Sequence, residues 1–476
     1  MHHFSPLDGI MPPIFNALIV GWPCPTDRRD SLVSVLQRSL TLLFEDWPDL
    51  AGEIVAPTAD ATPGTQPTIR PMGEFSSPLT TRDFTNSDSL FSHSYAQLQA
   101  QGFPPSLLDG QLLSPLAGVG STQRVMAAQA NLIPGGCLLS VGFSHQFTDA
   151  YGVYLIMEIW AQYCRQVQGL PAQPAVFAHT LSQPQTSLPS VLQVSHEQAT
   201  KQYSTLKQRA ELWKLIGLDW RGSATSPPPE VPYQPIKGDV ETRIFSVSIT
   251  AQATLKKAAS TRSSPSSSCP PLRISTNDAL VAWIWQAITR ARFPTGEPIP
   301  PYRDNSYVSV AIDGRNPLLI PADYAGNVVF CSMTNMPIRE LTHRNTPLGE
   351  IAARIRQETT ANRDPARLQE AITLAAGIPD TRQPLANAFP SWFAEDLVTT
   401  SWVGLPFYQL DFGPAMGPSG RIDTFRMPRG QFAGICSFQP RADDGSIEIV
   451  IGLMAEQMER LVGDPDFVQF VTPVSS

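Results

Sequence analysis

His145 is the residue whose type and setting could do chemistry. It follows the apolar run CLLSVGF at 137–143 and precedes the apolar stretch YGVYLIMEIWAQYCRQV at 151–167, so a strand and a helix grip it on a short loop. An imidazole with an ordinary pKa of about 6.5 takes a proton from a hydroxyl or an amine at neutral pH. Asp149 lies four residues on, where a carboxylate could orient that imidazole or its loop. The same two residues also fit a core histidine satisfied by backbone hydrogen bonds, with Asp149 merely capping the next helix. Other catalytic patterns fail: there is no G-x-S-x-G elbow, no Walker A loop, no G-x-G-x-x-G and no H-E-x-x-H, and the decoy His196-Glu197 lacks a second histidine. Hydrolase, kinase and dinucleotide readings lose ground accordingly.

A second unusual stretch is TSWVGLPFYQLDFGPAMG at 400–417, where glycines, prolines and an acid break a strand. Asp411 lies within it, and Arg315 lies in AIDGRNPLLIPADYAGN at 311–327. Asp411 could cap a turn or pair with a buried arginine, and because a carboxylate and a guanidinium embedded in apolar sequence need each other, Arg315 is its best candidate partner.

The elements that must position these groups follow from periodicity. Leu32, Val35, Leu36, Leu40 and Leu43 mark an amphipathic helix that Pro48 ends, and a helical stretch is expected around Leu90 to Gln101. The run before His145 is continuous and apolar, as in a buried strand. From about Pro171 to Pro235 the composition turns to Gln, Ser, Pro and Thr, with a helical island near His196 to Ile216 and a triple proline at 227–229; this is the crossover between two halves. The second half opens with the alternating strand TRIFSVSI and a short helix containing Lys256 and Lys257, followed by a Ser/Pro loop at 261–271. STNDALVAWIWQAITRAR is a helix with Ser275 or Thr276 at its N-cap. Strands are expected at 306–312 and 398–403, a helix at 348–359, a hairpin around Asp443-Asp444-Gly445, and a last helix from Glu456 to Leu461.

Composition bounds the rest. A chain of 476 residues, 42% apolar and 16% charged, is globular and long enough for more than one core. A formal charge of −8 with no basic run argues against a nucleic-acid partner. No segment approaches the roughly 18 apolar residues of a membrane span, and the amino end lacks a basic-then-apolar signal, so a cytoplasmic protein without membrane attachment is the expectation. The six cysteines are scattered without a C-x-x-C pair, which favours free thiols over disulfides or a zinc site.

With these pieces in place, the chain resembles the BAHD acyltransferases, especially the fungal members that acylate secondary metabolites. The resemblance rests on HQFTD at 145–149 and DFGPA at 411–415, supported by STNDALVAW, VAIDGRNPLLIPADYAGN and TSWVGLPFYQLDFG, with echoes in SPLD near the start, WPDLAGEI and AEQMERL. Two departures stand out: Ala150 follows Asp149 where many members have glycine, and Pro414-Ala415 replaces the Trp-Gly of plant enzymes. The resemblance implies an α/β fold of two similar chloramphenicol-acetyltransferase-like domains, mixed sheets flanked by helices, with a channel at their interface. The expected division is 1–215, a crossover at 216–240, and 241–476. It further implies that His145 is the general base, that Asp149 points away from the substrate and holds the loop, and that Asp411 and Arg315 are structural. The co-substrate would be acyl-CoA, acetyl-CoA by family frequency, with no tightly bound cofactor or metal. The acceptor would be a hydroxyl or amine of a small molecule, and the protein a monomer. Ser275, Thr276, Thr400, Ser401, Trp402 and Lys256 are the expected CoA contacts. A condensation-like or cyclising enzyme of the same superfamily is the alternative, although Ser144 stands where such domains carry a further histidine. A binding protein that keeps the fold without turnover is a third.

Overall fold

The computed structural model describes residues 4–475 except 59, 61–64, 72–77, 87–88, 116–123, 172–187, 220–238, 262–271, 295, 297, 300–303, 380–384, 387–395 and 429–432. The triple proline, most of the expected crossover and the Ser/Pro loop with Cys269 lie outside the described residues.

Two sheets organise the chain. Among the described residues the first has five strands, and at its centre Gly136–Ser144 pairs antiparallel with Phe15–Pro23 on one side and with Met126–Ile133 on the other. All nine residues of Gly136–Ser144 are buried, as its unbroken apolar run requires of a strand covered on both faces. Alternation along Phe15–Pro23 sends Leu18, Val20 and Trp22 into a core with helices Arg29–Asp46 and Ala150–Val167, and Ile19 into a cluster with Tyr95 and Leu98 on the opposite face. The Leu32–Leu43 stripe is the buried face of its helix. The expected helix near Leu90 is shorter, Tyr95–Ala100, because Ser94 and Gln97 form a capping box that starts it there.

The second sheet has seven strands among the described residues. Asn305–Asp313, Leu397–Ser401 and Ile435–Phe438 run parallel at its centre, with Ile447–Met454, Val240–Val247 and Thr472–Ser475 on one flank and Val329–Pro337 on the other. Helix Thr276–Arg292, with Ser275 as N-cap, is buried along nearly its whole length against this sheet and against helices Ile249–Ala259, Leu348–Ala361 and Ala455–Val462.

The two layered units exchange chain. Strand Thr424–Arg426 comes from late in the sequence yet pairs with Phe15–Pro23 at the edge of the first sheet, and Trp402, Phe407, Phe412 and Phe425 fill the first core. In return Leu7 and the helices His196–Leu206 and Ala210–Leu215 pack with Ile312, Phe330 and helix Pro365–Gly377 around the second sheet. Arg426, 5% exposed, adds an ionic tie by reaching Glu448 Oε2 at 2.6 Å in the second sheet. Among the described residues no helix is long and apolar enough to cross a membrane, and no group of acidic, histidine or cysteine side chains could hold a metal ion. Cys24, Cys137, Cys164, Cys331 and Cys436 are free thiols.

The exchange has a measurable consequence. Phe425 is fully buried against Trp402 and Phe407, so Phe425→Ala should lower the unfolding free energy by about 3–5 kcal/mol in denaturant titration. A loss below about 1 kcal/mol would show that the incoming strand is not part of the first core.

Candidate active site

The first sheet delivers His145. Its strand ends at Ser144, whose carbonyl accepts from Phe147 N (3.0 Å) and Thr148 N (3.2 Å), turning the chain sharply into the next helix. Phe147, 1% exposed, anchors the turn against Trp47 with ring centroids 6.1 Å apart. His145 is held at both ends of its backbone: its N–H donates to Ile14 O at 2.8 Å, and its carbonyl accepts from Asn327 Nδ2 at 2.9 Å. The ring is half-buried, and its Nδ1 is enclosed. Burial pushes the imidazole pKa below its ordinary 6.5, against weaker opposing effects that include the Asp149 charge. At neutral pH the side chain is therefore a neutral imidazole.

Asp149 does different work. It is the N-cap of helix Ala150–Val167, with Oδ1 accepting from Gly152 N at 3.1 Å. The same carboxylate takes a two-pronged contact from Arg315, NH2 to Oδ1 at 2.9 Å and NH1 to Oδ2 at 3.0 Å, and Oδ2 also accepts from Val328 N at 2.9 Å. Four donors saturate it, and none comes from His145. Arg315 is equally enclosed: it donates to Asp313 Oδ1 (3.0 Å), Tyr324 O (3.2 Å) and Gly326 O (2.7 Å), and its guanidinium lies over the Tyr151 ring at 4.5 Å. The pair joins a helix of the first unit to a loop of the second. Thr148 Oγ1 adds a bond to Ala325 O at 2.7 Å, and the approach is so close that a Cβ on Gly152 would stand 2.0 Å from Ala325 O. Glycine is thus required at 152, while Ala150 is accommodated two positions earlier.

The expected Asp411–Arg315 pair is corrected by this geometry. Asp411 pairs with Arg165 at the far end of the same helix, about 24 Å from Asp149 at about 1.5 Å per residue. Asp411 also accepts from Gly413 N (2.8 Å), and the following turn is stapled to the helix by Gln168, which donates to Phe412 O (2.7 Å) and accepts from Ala415 N (2.8 Å). Gly413, at φ +86°, supplies the left-handed backbone that the turn needs. The D-F-G stretch therefore secures the first unit internally.

The expected CoA contacts stand on the second unit. Ser275 and Thr276 open helix Thr276–Arg292, where Asp278 completes a capping box and pairs with Arg356. Thr400 and the exposed Ser401 end a central strand, and Lys256 is exposed on helix Ile249–Ala259. Trp402 does not join them at the surface: it is 5% exposed and packs on Phe407 and Phe425. Sequence reasoning missed Asn327, Thr148 and Asp8 as supports of the histidine turn. Their signal is a polar side chain inside an apolar block, in ADYAGN, HQFTD and SPLDGI.

The two ion pairs should respond differently to loss of charge. Asp149→Asn preserves the cap but leaves Arg315 without its buried partner and should cost about 3–5 kcal/mol of stability. Asp411→Asn, whose carboxylate is 40% exposed, should cost about 1 kcal/mol or less. Chemical denaturation of both variants measures the order, and the reverse order would refute the pairing.

Known proteins share this architecture. Residues 110–468 match the Transferase family model, and residues 15–164 match the trichothecene 3-O-acetyltransferase-like N-terminal domain. An eremophilane O-acetyltransferase of Penicillium roqueforti (strain FM164) is 33% identical, with 98% of each chain aligned. Trichothecene 3-O-acetyltransferase of Fusarium sporotrichioides is 26% identical over 92% of this chain and 90% of that one. The crystal structure of the latter with Coenzyme A and T-2 has the same fold, with a TM-score of 0.78 at 23% identity over 100% of both chains. With a family model spanning more than half of its length and a relative this similar end to end, the chain belongs to the Transferase family, the BAHD-type acyl-CoA-dependent acyltransferases.

Proposed function

We propose that the protein transfers an acetyl group from acetyl-CoA to a hydroxyl of a small natural product, with His145 as general base and no covalent enzyme intermediate. The observation that carries this reading is a neutral imidazole fixed at a buried strand end, with Asp149 wholly engaged elsewhere. His145 takes the hydroxyl proton as the oxygen attacks the thioester carbonyl. The tetrahedral oxyanion then collapses, the C–S bond breaks, and the imidazolium returns the proton to the CoA thiolate. Asp149 holds the loop through Arg315 and the helix start. The eremophilane O-acetyltransferase relatives support a hydroxyl acceptor over an amine and an eremophilane-type alcohol as the first acceptor to test. Ser275, Thr276, Thr400, Ser401 and Lys256 are the proposed donor contacts, with no metal in the chemistry, and the enzyme acts as a cytoplasmic monomer.

Acetyl transfer from acetyl-CoA to an eremophilane alcohol tests the reading. His145→Ala should fold as wild type and lose about two to four decades in kcat, and an unaltered rate would remove the mechanism. The acid limb of kcat/KM fixes the sign of the pH dependence. Because burial favours the neutral imidazole, the midpoint of the acid limb should lie below pH 6.5, with activity lost as pH falls through it. An inflection above 6.5 would mean a histidine stabilised as its cation and would contradict the assignment.

A further inference from the structure

Asp8 is a buried carboxylate for which the mechanism above has no use. It lies in the short helix Pro6–Ile10, every residue of which is buried, and is itself 0% exposed. Its partners are neutral. Oδ2 accepts from Ser5 N at 2.7 Å, while Oδ1 accepts from Asn327 N at 3.0 Å and from Asn327 Nδ2 at 2.8 Å. Burial lifts its pKa to about 6, opposed by the bonds from Asn327 and Ser5, so it is largely ionised at neutral pH. A buried charge with no cation against it is costly, and hydrophobic packing alone does not call for one here.

The contact that gives it meaning is the second bond of Asn327. Nδ2 reaches both Asp8 Oδ1 and the carbonyl of His145, at 2.8 and 2.9 Å. Both neighbours are acceptors, and an ionised carboxylate can be nothing else. If the amide turned over, its oxygen would face two oxygens, so Asp8 forces the NH2 toward His145. The surrounding residues extend this registration: Ala325 O meets Thr148, Gly326 O meets Arg315, and Val328 N meets Asp149. The same N-terminal segment grips the other side of the turn, since Ile14 O accepts from His145 N.

We infer that Asp8 is a positioning residue for catalysis, which acts through the Asn327 amide to fix the backbone of His145 and hence the aim of its imidazole. The inference rests on the reading of His145 as the base. Asp8 touches neither substrate nor the reacting atoms; it removes an alternative state of the amide, and with it an alternative state of the turn.

The test uses the full chain with histidine labelled at 13Cε1, the His145 resonance being assigned by its loss in His145→Gln. Asp8→Asn can donate as well as accept and so removes the Asp8 half of the constraint on Asn327, leaving the carbonyl of His145 alone to hold its NH2. It should lower kcat by about tenfold or more, keep KM for acetyl-CoA within about twofold, and split or broaden the His145 resonance. Ser5→Ala is the control for mere loss of helix stability. It removes the 3.2 Å bond from Asp8 N to Ser5 Oγ and the hydroxyl's contact with the Asp8 carboxylate but leaves both Asn327 bonds to that carboxylate in place, and should lower the unfolding midpoint while kcat and the resonance stay as in wild type. An Asp8→Asn enzyme with wild-type kcat and one sharp His145 signal would overturn the inference, as would a Ser5→Ala enzyme that loses kcat in step with its stability. Should the wild type fail to acetylate any acceptor, the transfer reading falls by itself, and the His145 resonance still decides whether Asp8 fixes the turn.

Discussion

The buried bond between Asp149 and Arg315 is the constraint on which the site depends. Both side chains are 6% exposed, so each has lost its water, and each regains it through several bonds that require a single arrangement of two separate parts of the chain. Such a pair adds little net stability over a packed apolar contact. Its effect is specificity, because any displacement of the second unit's loop strands a charge in the interior. Helix Ala150–Val167 is therefore fixed at its start by Arg315 and at its end by Arg165 and Gln168, and the turn carrying His145 is fixed with it.

This arrangement separates two tasks, holding the loop and polarising the imidazole, within one histidine–aspartate motif. A carboxylate bonded to His145 would raise the imidazole pKa and bind the protonated form. Instead the carboxylate is committed to Arg315, Val328 and the helix start, and burial keeps the imidazole neutral. The exchange of chain between the two units reinforces the design. Strand Thr424–Arg426 completes one sheet while Arg426 grips the other through Glu448, so the units do not part without losing both sheet hydrogen bonds and a buried charge contact.

Much of this was legible in the sequence for definite reasons. Gly136–Ser144 is continuous and apolar because it is covered on both faces, and Thr276–Arg292 announces itself through Ser275, Asp278 and an apolar periodicity. Met126–Ile133 gives no such signal: its alanines and its buried Gln129 and Asn131 have weak strand propensity, and those amides are satisfied by Leu112 O, Leu113 O and Leu138 O, partners that exist only once the sheet is assembled. Partner choice was the weakest point. Asp411 sits in a block that needs a cation, but Arg165 and Arg315 are equally embedded in apolar sequence, and only the length of the intervening helix decides between them. Asp8 and Asn327 were hidden likewise, since their bond joins residues 319 positions apart.

The most direct test of the central claim is a double-mutant cycle on Asp149→Asn and Arg315→Gln, read in both unfolding free energy and single-turnover acetyl transfer. If the pair acts as one unit that holds the histidine turn, the coupling energy should be about 2–3 kcal/mol, and the double variant should be no slower than the worse single one. Additive effects, with a coupling near zero, would contradict the account and return the two residues to independent structural roles.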